Sequence, residues 1–243
     1  MNNLKQLMIA WQMYSHDARD SIVPAYHGAN ARGGNFDPAI GPGWVSGWLD
    51  WTTLTDNINT DFLINDKYAR IAPYISKSKT VFKCPADNFL SAPQRALGWK
   101  DRVRSYSGNI GVGVGNAESG PFAPIYKHYT KVTQLLYPGP VDTWVFIDEH
   151  PDSMNDAGFF NPQTATIITD TPATYHNGAC GLAFADGHAE IHKWRGCLVA
   201  GRARQVHAVD GDYLNNGIPG KPGDADIHYL SSHGGLVRPG ISY

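Results

Sequence analysis

A chain of 243 residues with 42% hydrophobic and 17% charged side chains can bury a substantial core and is too apolar for disorder. Its formal charge of −2, without any block of like charges, excludes the basic footprint that a phosphate backbone requires, so nucleic acid is not an expected partner. The three cysteines, Cys84, Cys180 and Cys197, include no Cys-x-x-Cys pair, which excludes a disulfide-stapled scaffold and a zinc site built from thiolates alone. One bridge among the three stays open.

The apolar positions Leu4, Leu7, Met8 and Trp11 fall at i, i+3, i+4 and i+7 and predict a helix from residue 3 to about 20, capped by Asn2 or Asn3 and ended before Pro24. Glycines and prolines then punctuate residues 24–60, with Trp44, Trp48 and Trp51 among them. A short helix would align the three tryptophans as a platform for sugars or peptides; the alternative is that they fill a thin core under loops. Residues 61–79 read as a helix bent or interrupted at Pro73, 81–84 as a short strand ending at Pro85, and 102–107 as a strand with one polar face.

Gly111-Val112-Gly113-Val114-Gly115 superficially resembles a dinucleotide loop, but the third glycine is misplaced and no helix opens after it. The apolar run Trp144-Val145-Phe146-Ile147 predicts a buried strand within 143–148. It delivers a polar cluster in which Asp148, Glu149, Asp152 and Asp156 are candidate calcium ligands, although the spacing is not that of an EF-hand. Solvated turn residues are the competing reading. Thr164 to Thr169 has the β-branched content of a strand.

Asp186-Gly187 between alternating residues predicts a hairpin over 180–194 with a two-residue type I′ turn. Pairing outward from it sets Phe184 opposite Ala189 and Leu182 opposite Ile191, with His188, Glu190 and His192 on the other face. Those three are metal-ligand types, but i and i+4 on a strand lie ~13 Å apart, so a polar outer face is the better reading. By the same arithmetic, an unbroken strand would hold His176 and Asp186 roughly 30 Å apart, which argues against a catalytic pair. Asp186 then serves the turn, and His176 anchors the far end of the strand by a hydrogen bond. From about residue 197 the chain reads as loops, with Asp210-Gly211-Asp212, Asn215-Asn216-Gly217 and Asp224-Ala225-Asp226 forming a second acidic region. No Gly-x-Ser-x-Gly elbow or His-Glu-x-x-His helix appears, which weakens a metal-dependent hydrolase reading.

His176, nine residues, then Asp186-Gly187 matches the His-x9-Asp-Gly signature of prepilin-type processing-associated proteins, a pilin-like family. Asn2-Asn3-Leu4-Lys5-Gln6-Leu7, Trp48-Leu49-Asp50-Trp51, Cys84-Pro85-Ala86-Asp87 and Phe146-Ile147-Asp148-Glu149 resemble its phrases in the expected order, over residues 2 to about 195. The resemblance implies a single α+β pilin-like domain over 1–243: an N-terminal helix (1–22, truncated) packed on an antiparallel sheet with long loop insertions, then a head over 23–243. It further implies a non-catalytic pseudopilin-like subunit of a type II secretion or type IV pilus-like system. Such a subunit is extracytoplasmic and held in the inner membrane before assembly by a preceding apolar half-helix. Its partners are other pilin-like subunits or secretion machinery, with a glycan- or protein-binding module as the alternative. No cofactor is expected, calcium being the one ion left open; pseudopilins of type II secretion, distantly similar, hold it in a C-terminal loop.

Overall fold

In the computed structural model, which describes residues 1–113, 128–162, 166–209 and 217–235, the opening apolar stripe forms helix α1, Asn2–Asp17. Leu4, Leu7, Met8 and Trp11 are all buried, as the period requires. Neither asparagine caps the helix; Met1 holds the N-cap position with no side-chain bond. Asn3 instead donates to the carbonyls of Thr80 (3.2 Å) and Lys83 (2.8 Å), tying the start of α1 to the segment before Cys84. The helix ends at Ala18, and positive φ at Arg19 and Asp20 turns the chain ahead of Pro24.

The predicted helix over 61–79 is not continuous. Only α2, Asp61–Ile64, is α-helical there, and Pro73 sits inside a separate 3₁₀ turn, Ala72–Ile75. A short α3 follows at Ala92–Ala96, its start closed by a reciprocal Ser91–Gln94 capping box. The strand expected at 81–84 is a 3₁₀ turn, Lys79–Phe82. Val81 and Phe82 bury their side chains in the cluster under α1, so the apolar pair is satisfied by packing rather than by a ladder.

The main sheet holds β1 (Tyr106–Asn109), β2 (Trp144–Asp148), β3 (Gly158–Phe159), β5 (Ala179–Phe184) and β6 (Ala189–Lys193), in the order β3-β1-β2-β5-β6. Neighbours are antiparallel except β1 and β3, which run parallel, so the sheet is mixed rather than purely antiparallel. A second, two-stranded sheet pairs β4 (Ile167–Ile168) with β7 (Ile218–Pro219). The strand predicted over 164–169 thus survives as two residues in a separate sheet, with 164 and 165 outside the described residues. The segments 114–115, 210–212 and 215–216, read above as loop glycines and acidic residues, also lie outside them.

Both faces of the sheet are covered. Val145, Phe146, Ala183 and Ala185 pack under α1, while Trp144, Ile147, Cys180, Leu182 and Phe184 pack with Trp194, Ile227 and Leu230. A register shift in β2 between Trp144 and Phe146 lets Val145 and Phe146 share the α1 side, and keeps Trp144 and Ile147 on the other. Ile227 and Leu230 belong to α4, Ala225–Gly234, a helix in the region expected to be loops. Asp224, read as part of an acidic loop, is its N-cap and accepts from the amides of Asp226 (3.0 Å) and Ile227 (3.3 Å). The architecture is therefore α+β, with helices on both faces of a mixed sheet. No helix among the described residues is long and apolar enough to cross a membrane.

Candidate functional site

The three phrases richest in chemistry converge at one end of β2. Cys84-Pro85-Ala86-Asp87 closes as a turn, the Asp87 amide donating to the Cys84 carbonyl (3.0 Å) with Pro85 at its second position. This presents the Cys84 sulfur inward, while Asp87 accepts from Ser105 Oγ (2.7 Å) and pairs with Lys83 (3.0 Å). Asp148 is the last residue of β2 and is fully buried. His176 stands on a reversal closed by the Gly178 amide on the Thr174 carbonyl (2.8 Å), which Asn177 and Gly178 turn through positive φ before β5 begins.

His176 Nε2 lies 2.9 Å from Asp148 Oδ2 and 3.3 Å from Cys84 Sγ. The three ligand-type atoms lie within 4.8 Å of one another. Tyr175 donates its hydroxyl to Asp148 Oδ1, leaving Oδ2 for the imidazole. The Asp148 carboxylate first, and the Cys84 sulfur second, push the His176 imidazole up to about 10. Burial pushes Asp148 up, while the hydrogen bonds of His176 and Tyr175 oppose the shift. A cavity of about 390 Å³ opens on the cluster, walled by Asn3, Leu4, Tyr106, Gly181 and Ile191.

The anchoring role expected for His176 has a geometric counterpart here, because it ties the reversal before β5 to the end of β2. His176 does not pair with Asp186. That carboxylate caps its own turn, accepting from the His188 amide (3.0 Å) and contacting His188 Nδ1 (2.7 Å). The turn has three residues, Ala185 to Gly187, with the Gly187 amide bonded to the Phe184 carbonyl (2.8 Å) and positive φ at Gly187 alone. The two-residue I′ turn is thereby corrected, and Leu182 faces Glu190 instead of Ile191.

The four candidate calcium ligands are not brought together. Among the described residues the groups with metal-like spacing are Cys84/Asp148/His176 and Cys197/Asp224/Asp226. Nor are the four solvated turn residues: all are buried, each with its own partners. Asp148 serves Tyr175 and His176, and Glu149 accepts from Ser153 Oγ (2.8 Å). Asp152 accepts from Trp51 Nε1 (3.0 Å) and the amides of His207 (2.8 Å) and Ala208 (3.0 Å). Asp156 accepts from the amides of Gly28 (2.6 Å) and Gly158 (2.9 Å). Burial pushes Glu149 up to about 8. In the second group, three of the four carboxylate oxygens already accept backbone amides, from Asp226 and Ile227 on Asp224 and from Arg195 and Leu198 on Asp226. That group latches α4.

The tryptophan platform is also corrected. Trp44 and Trp51 are buried, Trp44 donating to the Ala157 carbonyl (2.9 Å), and only Trp48 is half-exposed, with Arg32 over its ring. Sequence reasoning missed Cys84 and Tyr175 as members of the His176 cluster. The turn proline after Cys84 was a local signal; the convergence itself was not.

Asp156 yields a pH prediction. Burial, only partly offset by the Gly28 and Gly158 amides and by Arg104, pushes it up to about 6. The folded state then binds its proton more tightly than the unfolded state, whose carboxyl titrates near 3.9. Its stabilising contribution is complete below that value and is lost as pH rises through about 6, on the order of 3 kcal/mol. Asp156→Asn is therefore expected to gain on the parent protein between pH 4 and pH 7 in paired urea titrations. A difference that stays constant with pH would contradict this assignment.

No protein-family model matches the chain, and neither a curated protein nor a solved structure matches it.

Proposed function

We propose that the chain is a non-catalytic, pilin-like assembly subunit, with α1 as the lower part of a spine and the sheet as its head. The observation that carries this reading is the two-sided character of α1. One side is buried on the sheet, while Ile9 (53% exposed) and Met13 (47%), one turn apart, face away from it. A helix that shows apolar side chains on its free face suits lateral packing against like helices. The cluster at His176 is not arranged as a nucleophilic relay. A Cys-His-Asp relay needs the thiol and the carboxylate on different ring nitrogens, whereas both lie on Nε2 here. Other pilin-like subunits or secretion machinery are the partners, on the extracytoplasmic side, with a membrane-held precursor.

The reading expects the reading frame upstream of Asn2 to encode about 20 apolar residues behind a processing site. It also expects Ile9→Asp/Met13→Asp to alter folding stability by no more than about 0.5 kcal/mol per site, yet to exclude the full-length protein from assemblies isolated from its own cells. An upstream frame with no apolar segment, or normal incorporation of the double variant, would overturn it.

A further inference from the structure

We propose that Cys84, Asp148 and His176 bind one divalent transition-metal ion of the zinc class, with the remaining coordination position open to the cavity at the start of α1. This rests on the local geometry alone and holds whether or not the chain assembles.

Four observations carry it. First, the donor set is chemically coherent: a thiol, an imidazole and a carboxylate are the ligand types of zinc sites, and three protein ligands with one open position is a recognised arrangement. Second, the atoms converge on one point. Nε2 of His176 meets both Sγ and Oδ2, at 3.3 and 2.9 Å, but carries at most one proton and cannot satisfy both neighbours equally. A tetrahedral ion with bonds of ~2.0–2.3 Å sets its donors ~3.3–3.6 Å apart, so these two contacts spread by a few tenths of an ångström, while the third pair, Cys84 and Asp148, lies within 4.8 Å and settles to the same spacing. Third, the charges balance. A thiolate, a carboxylate and a neutral imidazole would together match the charge of a dication. A buried site of zero net charge avoids the cost of an unpaired ion. Fourth, the surroundings orient the ligands. The Tyr175 hydroxyl holds Asp148 Oδ1, the Asp87 amide fixes the Cys84 turn, and the cavity supplies an entry path beside Asn3 and Leu4.

The ion would join three segments far apart in sequence: the turn after residue 83, the end of β2 and the reversal before β5. Asn3 donates to the carbonyl of Lys83, next to Cys84, so the same ion would also stiffen the seat of the start of α1. The chemistry selects a borderline or soft dication over calcium, because one sulfur and one nitrogen replace the oxygens calcium needs.

The test uses the whole chain, stripped with chelator under reducing conditions and titrated with cobalt(II) as the probe. The expected result is the visible absorption of tetrahedral cobalt with a thiolate charge-transfer band, saturating at about one ion per chain and displaced by zinc(II). Cys84→Ser and His176→Gln should each weaken binding at least ~100-fold, and Tyr175→Phe, which acts through Asp148, by ~10-fold. Cys197→Ser, in the latch of α4, should leave binding unchanged. X-ray absorption on the zinc-loaded parent protein provides a readout that no misfolded variant can obscure: one sulfur at ~2.3 Å and nitrogen or oxygen neighbours at ~2.0 Å. Absence of a thiolate band at stoichiometric cobalt, an all-oxygen shell, or a signal abolished by Cys197→Ser but not by Cys84→Ser would each overturn the proposal.

Discussion

Replacing Trp11 with alanine is expected to destabilise the protein by about 3–5 kcal/mol, the usual cost of removing a buried aromatic side chain. For a chain of this length that corresponds to a fall in Tm of roughly 6–20 °C. Trp11 is the largest side chain that α1 buries, and it packs with Val23, Ala25, Trp44, Val145 and Phe146 around a gap of only about 10 Å³, so its removal opens a new cavity. Met13, two residues on and on the free side, provides the control: Met13→Ala should change stability by no more than about 0.5 kcal/mol. Urea midpoints for the two variants measure the docking of α1 directly. Equal costs at the two positions would mean that the helix is not seated on the sheet, and the assembly reading would lose its spine.

What could be read from the sequence follows the range of the interactions involved. The stripe of α1, the apolar run of β2 and the hairpin at Gly187 are local patterns, and each appears within a few residues of its expected place. The hairpin register failed by one residue because Asp-Gly was given a two-residue loop, whereas the chain spends Ala185 as well and needs positive φ only at Gly187. That choice depends on how β2 and β5 align, which no hairpin sequence reports. The segment 79–83 differs in the opposite way: Val81-Phe82 has strand content, but no strand pairs with it among the described residues, and the Phe82 carbonyl accepts from the Ser105 amide instead. Helix α4 is legible in principle, through the Asp224 cap and the Ile227/Leu230 spacing, but an acidic run has the same composition whether it holds ions or caps backbone amides. The His176 cluster was visible as three phrases and hidden as one site. Its contacts span sequence separations of 92 and 28 residues, and only the fold closes those distances.

The same hidden geometry explains why the acidic run after β2 is a core and not a surface. Asp152→Ala is expected to cost about 3–5 kcal/mol, as for one partner removed from a buried charged network. Asp152 is fully buried and gathers Trp51 Nε1 and the amides of His207 and Ala208. Removing it strands three donors, each with a desolvation penalty on the order of 1–3 kcal/mol that partial relaxation reduces. It also withdraws a carboxylate from Arg102, a fully buried guanidinium that stacks 3.8 Å from the Trp51 ring centre and donates to the Pro151 carbonyl (3.0 Å). Asp152→Asn should fall between alanine and the parent protein, because its carbonyl can keep the Trp51 and Ala208 bonds while its amide meets the His207 donor head-on. The ordering Ala, Asn, parent in urea midpoints is the expected result, and it should be the same with and without added calcium. A cost that appears only when calcium is present would return Asp152 to the role of ion ligand and dismantle the buried network described above.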